Sequence, residues 1–244
     1  MKVSIVTPSL NQAQFLEETI LSVLEQSYKN IEYIIIDGGS TDGSVELIKK
    51  YSNRIKFWVS EKDNGQTHAI NKGFERCEGE FFAYLNSDDV LEKNAVEKIV
   101  AAFSINPETP VVYGQCSIID SKGKIISPPE GEPVEPKWML KNGMLPKIFQ
   151  PACFFNKKFL VRKPLFREDL KYVMDYELLL HLLQNNSPVF IPTPIARYRQ
   201  HLQSKTSAQP KLMYKEKLKV RKEYGDLVFW DELKFRIRNV FTTQ

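Results

Sequence analysis

Over the first hundred residues, short runs of β-branched and aromatic residues alternate with stretches whose apolar positions recur at helical spacing. That is the pattern of a mostly parallel sheet flanked by helices. KVSIVTP reads as a strand, and beyond Asn11 the residues Phe15, Leu16, Ile20, Val23 and Leu24 share one helix face. IEYIIIDGG is apolar on both of its alternating faces, which predicts a central strand covered on both sides. It ends at Asp37 in GGSTDGS, a turn rich in glycine and N-capping residues, and VELIKKY follows as a helix. RIKFWVSEKDNG is a third strand leading into the helix QTHAINKGFERC. EFFAYL is a fourth, and it breaks off at Asn86 before the adjacent carboxylates Asp88 and Asp89.

After residue 107 the texture changes. ETPVVYGQCSIID and GKIIS read as a pair of antiparallel strands, and SPPEGEPVEP as a proline-rich loop that contributes nothing to the core. IFQPACFFNKKFL is a further strand and turn, YVMDYELLLHLLQNN a helix, and VFIPTPIARYRQH a strand. The predicted organisation is one α/β domain over residues 1–204, split into halves 1–106 and 107–204, with a basic helical extension over 205–244.

The strand ends carry the polar residues: Thr7 to Asn11, Asp37, Asp63 with Asn64, and Asn86 with Asp88 and Asp89. Ligands of parallel α/β sheets bind outside the carboxyl ends of the strands, so the expected pocket lies there before any motif is considered.

Composition narrows the class. With 244 residues and 42% hydrophobic content the chain can bury a substantial core. MKVSIVTPSLN is too short in apolar residues for a signal peptide, and no run approaches a membrane span. Three cysteines, Cys77, Cys116 and Cys153, form no CxxC pair and fit a reducing compartment, so a cytoplasmic location is expected. The net charge of +4 belongs to the tail: residues 205–244 hold ten Lys and Arg against five Asp and Glu, leaving 24 against 25 in the rest. A body near neutrality gives no reason to expect a nucleic-acid partner.

Two adjacent carboxylates repel unless a cation or a helix start offsets them. Asp89 with Glu92 makes a loose capping box, but Asn94 with Glu97 makes another, directly before the helix of Ala95, Val96, Ile99 and Val100. If the helix starts there, the pair is free to hold a divalent cation that keeps positions open for a substrate phosphate. No GxGxxG follows the first strand and no P-loop occurs, which disfavours dinucleotide oxidoreductases and P-loop enzymes.

VSIVTPSLNQAQFLEETILSVLEQSYKNIEYIIIDGGSTDGS together with EKDNGQTHAINKGFERCEGEFFAYLNSDD resembles the family-2 glycosyltransferases. The resemblance is dense over the first hundred residues and looser over 145–202. It implies the GT-A fold and inverting transfer of a sugar from a nucleoside-diphosphate sugar, with Mn²⁺ or Mg²⁺, to a hydroxyl of a glycan or lipid-linked acceptor. On that resemblance Thr7, Pro8, Ser9 and Asn11 contact the base and ribose, and Asp37 accepts a hydrogen bond from one of them. Asp63, Asn64 and Gly65 line the nucleotide, and Lys72 meets the diphosphate. The family's DxD motif is altered here, its first position being Asn86. Asn86, Ser87 and Asp88 then face the donor, and Asp89 binds the metal, with His201 completing the shell or holding the diphosphate. Gln150 falls among the sugar or acceptor contacts. Asp175 is the general base, with Glu168 and Asp169 as alternatives.

The bland roles remain beside these: Asp37 as a turn-forming side chain, Lys72 as a solvated helix lysine, Asp175 as an N-cap and His201 as a surface histidine. In the tail, Phe229, Trp230, Phe235 and Phe241 interleave with basic residues, which allows either a helix docked on the domain or peripheral contact with an anionic membrane. Asn86 in place of an acid also leaves open a nucleotide-sugar-binding or scaffold domain without turnover.

Overall fold

The structure is a computed structural model and describes residues 1–135, 148–201, 204 and 209–225. Among these, nine strands form a single sheet. Its parallel half is β3 (Phe57–Ser60), β2 (Ile31–Asp37), β1 (Val3–Ser9) and β4 (Phe81–Tyr84), in that order. The sheet continues antiparallel through β8 (Cys153–Asn156) and β6 (Val111–Ile119); β9 (Val189–Arg199) then runs parallel to β6, β5 (Val90–Leu91) antiparallel to β9, and β7 (Ile125–Glu130) antiparallel on β6. The two strands expected as an antiparallel pair after residue 107 are β6 and β7, and they belong to the same sheet as the parallel half.

The alternation of side chains divides the core into two layers. Val6, Ile34, Ile36, Phe82 and Tyr84 face one way and meet α3 (Gln66–Phe74) and α5 (Met174–Leu183). Their neighbours Val3, Ile5, Tyr33, Ile35, Phe81 and Ala83 face the other way, against α1 (Ala13–Leu24), α2 (Ser44–Lys50) and α4 (Ala95–Ile105). A period of two in each strand with helices on both faces is what a buried parallel sheet requires. α3 comes so close to β1 that a Cβ on Gly73 would lie 2.4 Å from Val6 Cγ1.

SPPEGEPVEP is only partly the loop expected of it, because β7 runs through Pro128 and Pro129 to Glu130. β7 pairs with β6 alone, and an edge strand tolerates residues with no N–H to give. β9 absorbs its own prolines differently: the pairing steps from Gly114 with Ile191 to Gln115 with Pro194, so residues 192–193 bulge out beside Gly114. α4 begins at Ala95 after Asn94, where the second capping box put it, although the Asn94 side chain makes no cap bond.

The last described helix, α6 (Pro210–Glu223), buries Leu218 and Val220, and Val220 joins the apolar cluster of α5. The aromatic end of the tail, Phe229 to Phe241, lies outside the described residues. The three cysteines are buried and unpaired. Among the described residues no helix is long and apolar enough to cross a membrane.

Candidate active site

A cavity of about 470 Å³ opens at the carboxyl ends of β1 and β4, where the strand-end argument located it. One wall is Pro8, Ser9, Leu10 and Gln12 from the loop after β1, and the floor is Tyr84 with Asn86, Ser87 and Asp88 after β4. Asp63, Gly65 and Gln66 enter from the loop before α3, Gln150 from the turn before β8, and Lys171, Tyr172 and Asp175 from the approach to α5.

β5 is short, but its antiparallel pairing with β9 decides the chemistry of the acidic pair. Val90 lies opposite Arg197, which brings the turn at 88–89 against the end of β9. There the two adjacent carboxylates point opposite ways. Asp89 is 0% exposed: its Oδ1 accepts the Arg199 backbone N–H at 2.9 Å and its Oδ2 accepts Asn86 Nδ2 at 3.2 Å. Burial, and then the charge of Asp88, raise its pKa well above the usual carboxylate range, against the pull of those hydrogen bonds and of the Arg199 guanidinium. Asp88 instead lines the cavity, and its Oδ2 is 3.0 Å from His201 Nε2. Asp89, expected to bind the metal, thus has its oxygens enclosed and hydrogen-bonded within the protein, and of the pair it is Asp88 that faces the cavity.

Arg199 holds this arrangement together from inside. The side chain is 1% exposed; Nε donates to the Asp88 carbonyl at 2.8 Å, Nη1 to the Asp120 carbonyl at 3.1 Å, and Nη2 pairs with Glu18. Phe15 lies beneath the guanidinium and also against the His201 ring, with distances of 4.9 Å to each.

Asn86 sits in a row of amides across the floor. Gln66 Nε2 donates to Asn86 Oδ1 at 2.6 Å, Asn86 Nδ2 reaches Gln150 Oε1 at 3.3 Å, and Gln150 Nε2 donates to the Tyr84 carbonyl at 2.7 Å. A carboxylate at position 86 would have no hydrogen to offer to Asp89 or to Gln150. The departure from DxD thus has a local counterpart: the buried carboxyl at 89 accepts a hydrogen bond, and its neighbour at 86 donates it.

The remaining expected residues divide. Pro8, Ser9, Asp63 and Gly65 line the cavity, and Ser9 Oγ and Gln12 Oε1 are buried polar atoms with no hydrogen-bond partner among the described residues. Thr7 is buried behind the wall, accepting from Tyr33 Oη at 2.9 Å. Asn11, in a left-handed conformation, accepts Thr41 N–H at 2.9 Å and ties the loops after β1 and β2 together. Asp37 is fully buried, and its carboxylate accepts from its own turn, Ser40 N–H at 2.8 Å and Gly39 N–H at 3.1 Å, and from the Ser60 hydroxyl of β3 at 2.6 Å. Asn64 is exposed outside the cavity. Lys72 is outside it as well, on α3 and paired with Glu61.

Asp175 lies in the first turn of α5, one residue inside the helix, so it is not the N-cap, a position held by Val173. Its Oδ1 accepts the Tyr176 N–H at 2.8 Å, and burial raises its pKa over the opposing effect of that bond. Of the alternatives, Asp169 is held well below the usual range by Arg167 and then Lys219, and Glu168 accepts from Asn71 at 3.1 Å. Neither lines the cavity.

Sequence reasoning missed Gln12, Gln66, Tyr84, Lys171 and Tyr172 among the lining residues. The two glutamines had a signal, since each directly follows a loop residue already singled out. The others face the cavity only through the way α5 and β4 pack.

Beside the cavity, the Asp88 carboxylate and the His201 imidazole, 3.0 Å apart, are side chains that could hold a divalent cation, the oxygen suiting Mn²⁺ or Mg²⁺ and the nitrogen a transition metal. Among the described residues no group of three or more His, Cys, Asp or Glu side chains converges.

A ligand cavity at the carboxyl ends of a parallel half-sheet, with an acidic turn at its floor, is the arrangement of ligand-binding α/β proteins. Residues 4–170 match the model of glycosyl transferase family 2, and the chain belongs to that family. It is 31% identical over 188 residues to an uncharacterized glycosyltransferase of Rickettsia conorii, a match covering 72% of this chain and 30% of that protein. Over 99 residues it is 40% identical to a putative teichuronic acid biosynthesis glycosyltransferase, TuaG of Bacillus subtilis, covering 39% of each. The chain spans between 30% and 64% of the length of the first such relatives.

Its fold is similar to residues 1–349 of S. aureus TarS in complex with UDP-GlcNAc, with a TM-score of 0.71 at 20% identity over 91% of this chain and 65% of that one. It is also similar to the mannosyltransferase PcManGT of Pyrobaculum calidifontis in complex with GDP-Man and Mn²⁺, with a TM-score of 0.65 at 16% identity over 90% and 62%. The architecture is thus the GT-A fold that the resemblance implied.

Proposed function

We propose that this chain transfers a sugar, with inversion, from a nucleoside-diphosphate sugar to a hydroxyl of a glycan or lipid-linked acceptor. The observation that carries the reading is one cavity with two unlike carboxylates: Asp88 beside His201 at one side, and Asp175, pushed up by burial, at another. A carboxylate beside an imidazole can hold charge, and a buried carboxylate with a raised pKa can take up a proton, so the two suit different tasks. The crystallised relatives with UDP-GlcNAc and with GDP-Man and Mn²⁺ support a nucleotide-sugar donor, and the TuaG likeness supports an envelope polysaccharide as acceptor.

In this mechanism Ser9 and Gln12, whose buried oxygens have no partner among the described residues, bind the nucleoside, and Asp63 with the Gly65 turn flanks it. Asp88 and His201 would hold Mn²⁺ or Mg²⁺, which when bound neutralises the charge of the departing diphosphate. The acceptor oxygen attacks the anomeric carbon from the face opposite the diphosphate. As that C–O bond forms, the sugar–phosphate C–O bond breaks, its electron pair leaves with the nucleoside diphosphate, and the acceptor proton passes to Asp175. A carboxylate with a raised pKa is a stronger base than an ordinary one, which suits this task.

The test is release of nucleoside diphosphate from a panel of nucleotide sugars with Mn²⁺ or Mg²⁺, with and without EDTA, supplemented with short glycan and lipid-linked acceptors. Turnover of one donor, abolished by EDTA and yielding the opposite anomer by NMR, is the expected result. Binding of a donor without turnover under any of these conditions would move the chain to the non-catalytic reading.

A further inference from the structure

We propose that the C-terminal helix α6 is a working part of the acceptor side of this site, and that Glu216 is the positioning residue through which it holds Asp175 in place. This rests on the role proposed above for Asp175.

The contact is specific. Glu216 Oε2 accepts the backbone N–H of Tyr172 at 2.8 Å and of Lys171 at 3.1 Å, and Oε1 accepts that of Lys171 at 3.0 Å. Both residues line the cavity and lie three and four positions before Asp175, in the irregular segment that enters α5. No strand or helix ladder satisfies these amides, so a carboxylate supplied from 44 and 45 residues away does so. Hydrogen bonds to an ionised acceptor are about twice as strong as neutral ones, and an anion there also suits the positive end of α5.

The helix can act as a brace because it is itself anchored. Leu218 and Val220 are buried, with Val220 in the cluster that contains Leu178 and Leu182. Lys219 reaches Asp169 at 3.0 Å, Arg167 pairs with Glu223, and Tyr224 Oη donates to Glu177 at 2.8 Å. The segment from Arg167 to Glu177 is therefore held on both sides of Asp175 by a single element. Residues 171 and 172 and the brace at 216 all lie beyond residue 170, where the family match ends. The base position is thus held by chain that the family's shared segment does not include.

The experiment compares the full chain with Glu216→Ala and Glu216→Gln by three readouts: amide hydrogen exchange over residues 166–177, donor affinity in Mn²⁺, and kcat with acceptor. In the alanine variant, exchange at Lys171 and Tyr172 should rise at least about tenfold. kcat should fall about 10- to 100-fold, the scale of a small misplacement of a reacting group, while donor affinity stays within about twofold. Glutamine keeps an acceptor oxygen and should rescue part of both effects. Unchanged exchange and kcat in the alanine variant overturn the proposal, as does a loss of donor affinity that parallels the loss of kcat. If alanine prevents folding, the same criteria apply to the glutamine variant. Should the wild-type chain itself show no turnover, the base assignment fails, and the exchange data still decide whether Glu216 holds the segment.

Discussion

Restoring the acid of the DxD motif, by Asn86→Asp, should weaken the protein rather than improve it. The wild-type amide gives a hydrogen to Asp89 Oδ2 at 3.2 Å and to Gln150 Oε1 at 3.3 Å. An ionised carboxylate in the place of that amide would face Asp89 at the same distance, a repulsion of about 5 kcal/mol at an effective dielectric constant of about 20. The alternative is for the pair to take up one proton, which at pH 7 costs about 4 kcal/mol against an ordinary Asp pKa near 3.9. The cheaper route sets the ceiling, so the variant should lose up to about 4 kcal/mol at pH 7, less by whatever proton the raised pKa of Asp89 already holds in the wild type. The sign with pH follows from linkage. The folded state holds the extra proton more tightly than the unfolded chain, so the deficit is small below the unfolded pKa of about 4. It grows as pH rises, until the folded pKa is passed. Urea denaturation of both proteins at pH 4 and pH 7 measures this. Equal midpoints at both pH values would refute the reasoning, because they would mean that no charge at Asp89 needs the amide.

The other predictions concern the same cluster and the base. Arg199→Met should cost about 3–5 kcal/mol, since it strands the carbonyls of Asp88 and Asp120 and removes the cation beside buried Asp89; thermal or urea unfolding reads this directly. Because burial raises the Asp175 pKa, the acid limb of kcat/KM should fall above the pH of an ordinary aspartate, with activity lost as pH drops through that limb. A limb at or below about pH 4 would contradict the assignment. Gly38→Ala should perturb the nucleotide end of the cavity, since its Cβ would stand 2.8 Å from Asp63 Oδ2; weaker donor binding with nearly unchanged stability is the expected outcome by calorimetry.

How much of this could be read from the chain depended on the range of the contacts involved. β1, β2 and β4 were legible because burial on both faces writes itself as uninterrupted apolar runs, and the strand-end rule then located the cavity with no further information. β7 was not, because Pro128 and Pro129 read as breakers until the strand is known to lie on an edge. The acidic pair shows the deeper limit. Adjacent residues point in opposite directions, and which of Asp88 and Asp89 faces the cavity is decided by the pairing of β5 with β9, more than a hundred residues away in the chain. Asp37 and Lys72 failed to reach the cavity for local reasons: a glycine-rich turn that consumes the carboxylate, and a neighbouring Glu61 that takes the ammonium. The amide at position 86, a departure when seen against the motif, is explained only once Asp89 is seen to be buried.

The most direct test of the account is a paired measurement on Asp88→Asn and Asp175→Asn: donor affinity in the presence and absence of Mn²⁺, and kcat with acceptor. The account predicts that Asp88→Asn loses the metal-dependent part of donor binding, while Asp175→Asn binds donor as the wild type does and loses about 10²- to 10⁴-fold in kcat. Full turnover by Asp175→Asn, or metal-dependent binding that survives in Asp88→Asn, would contradict it.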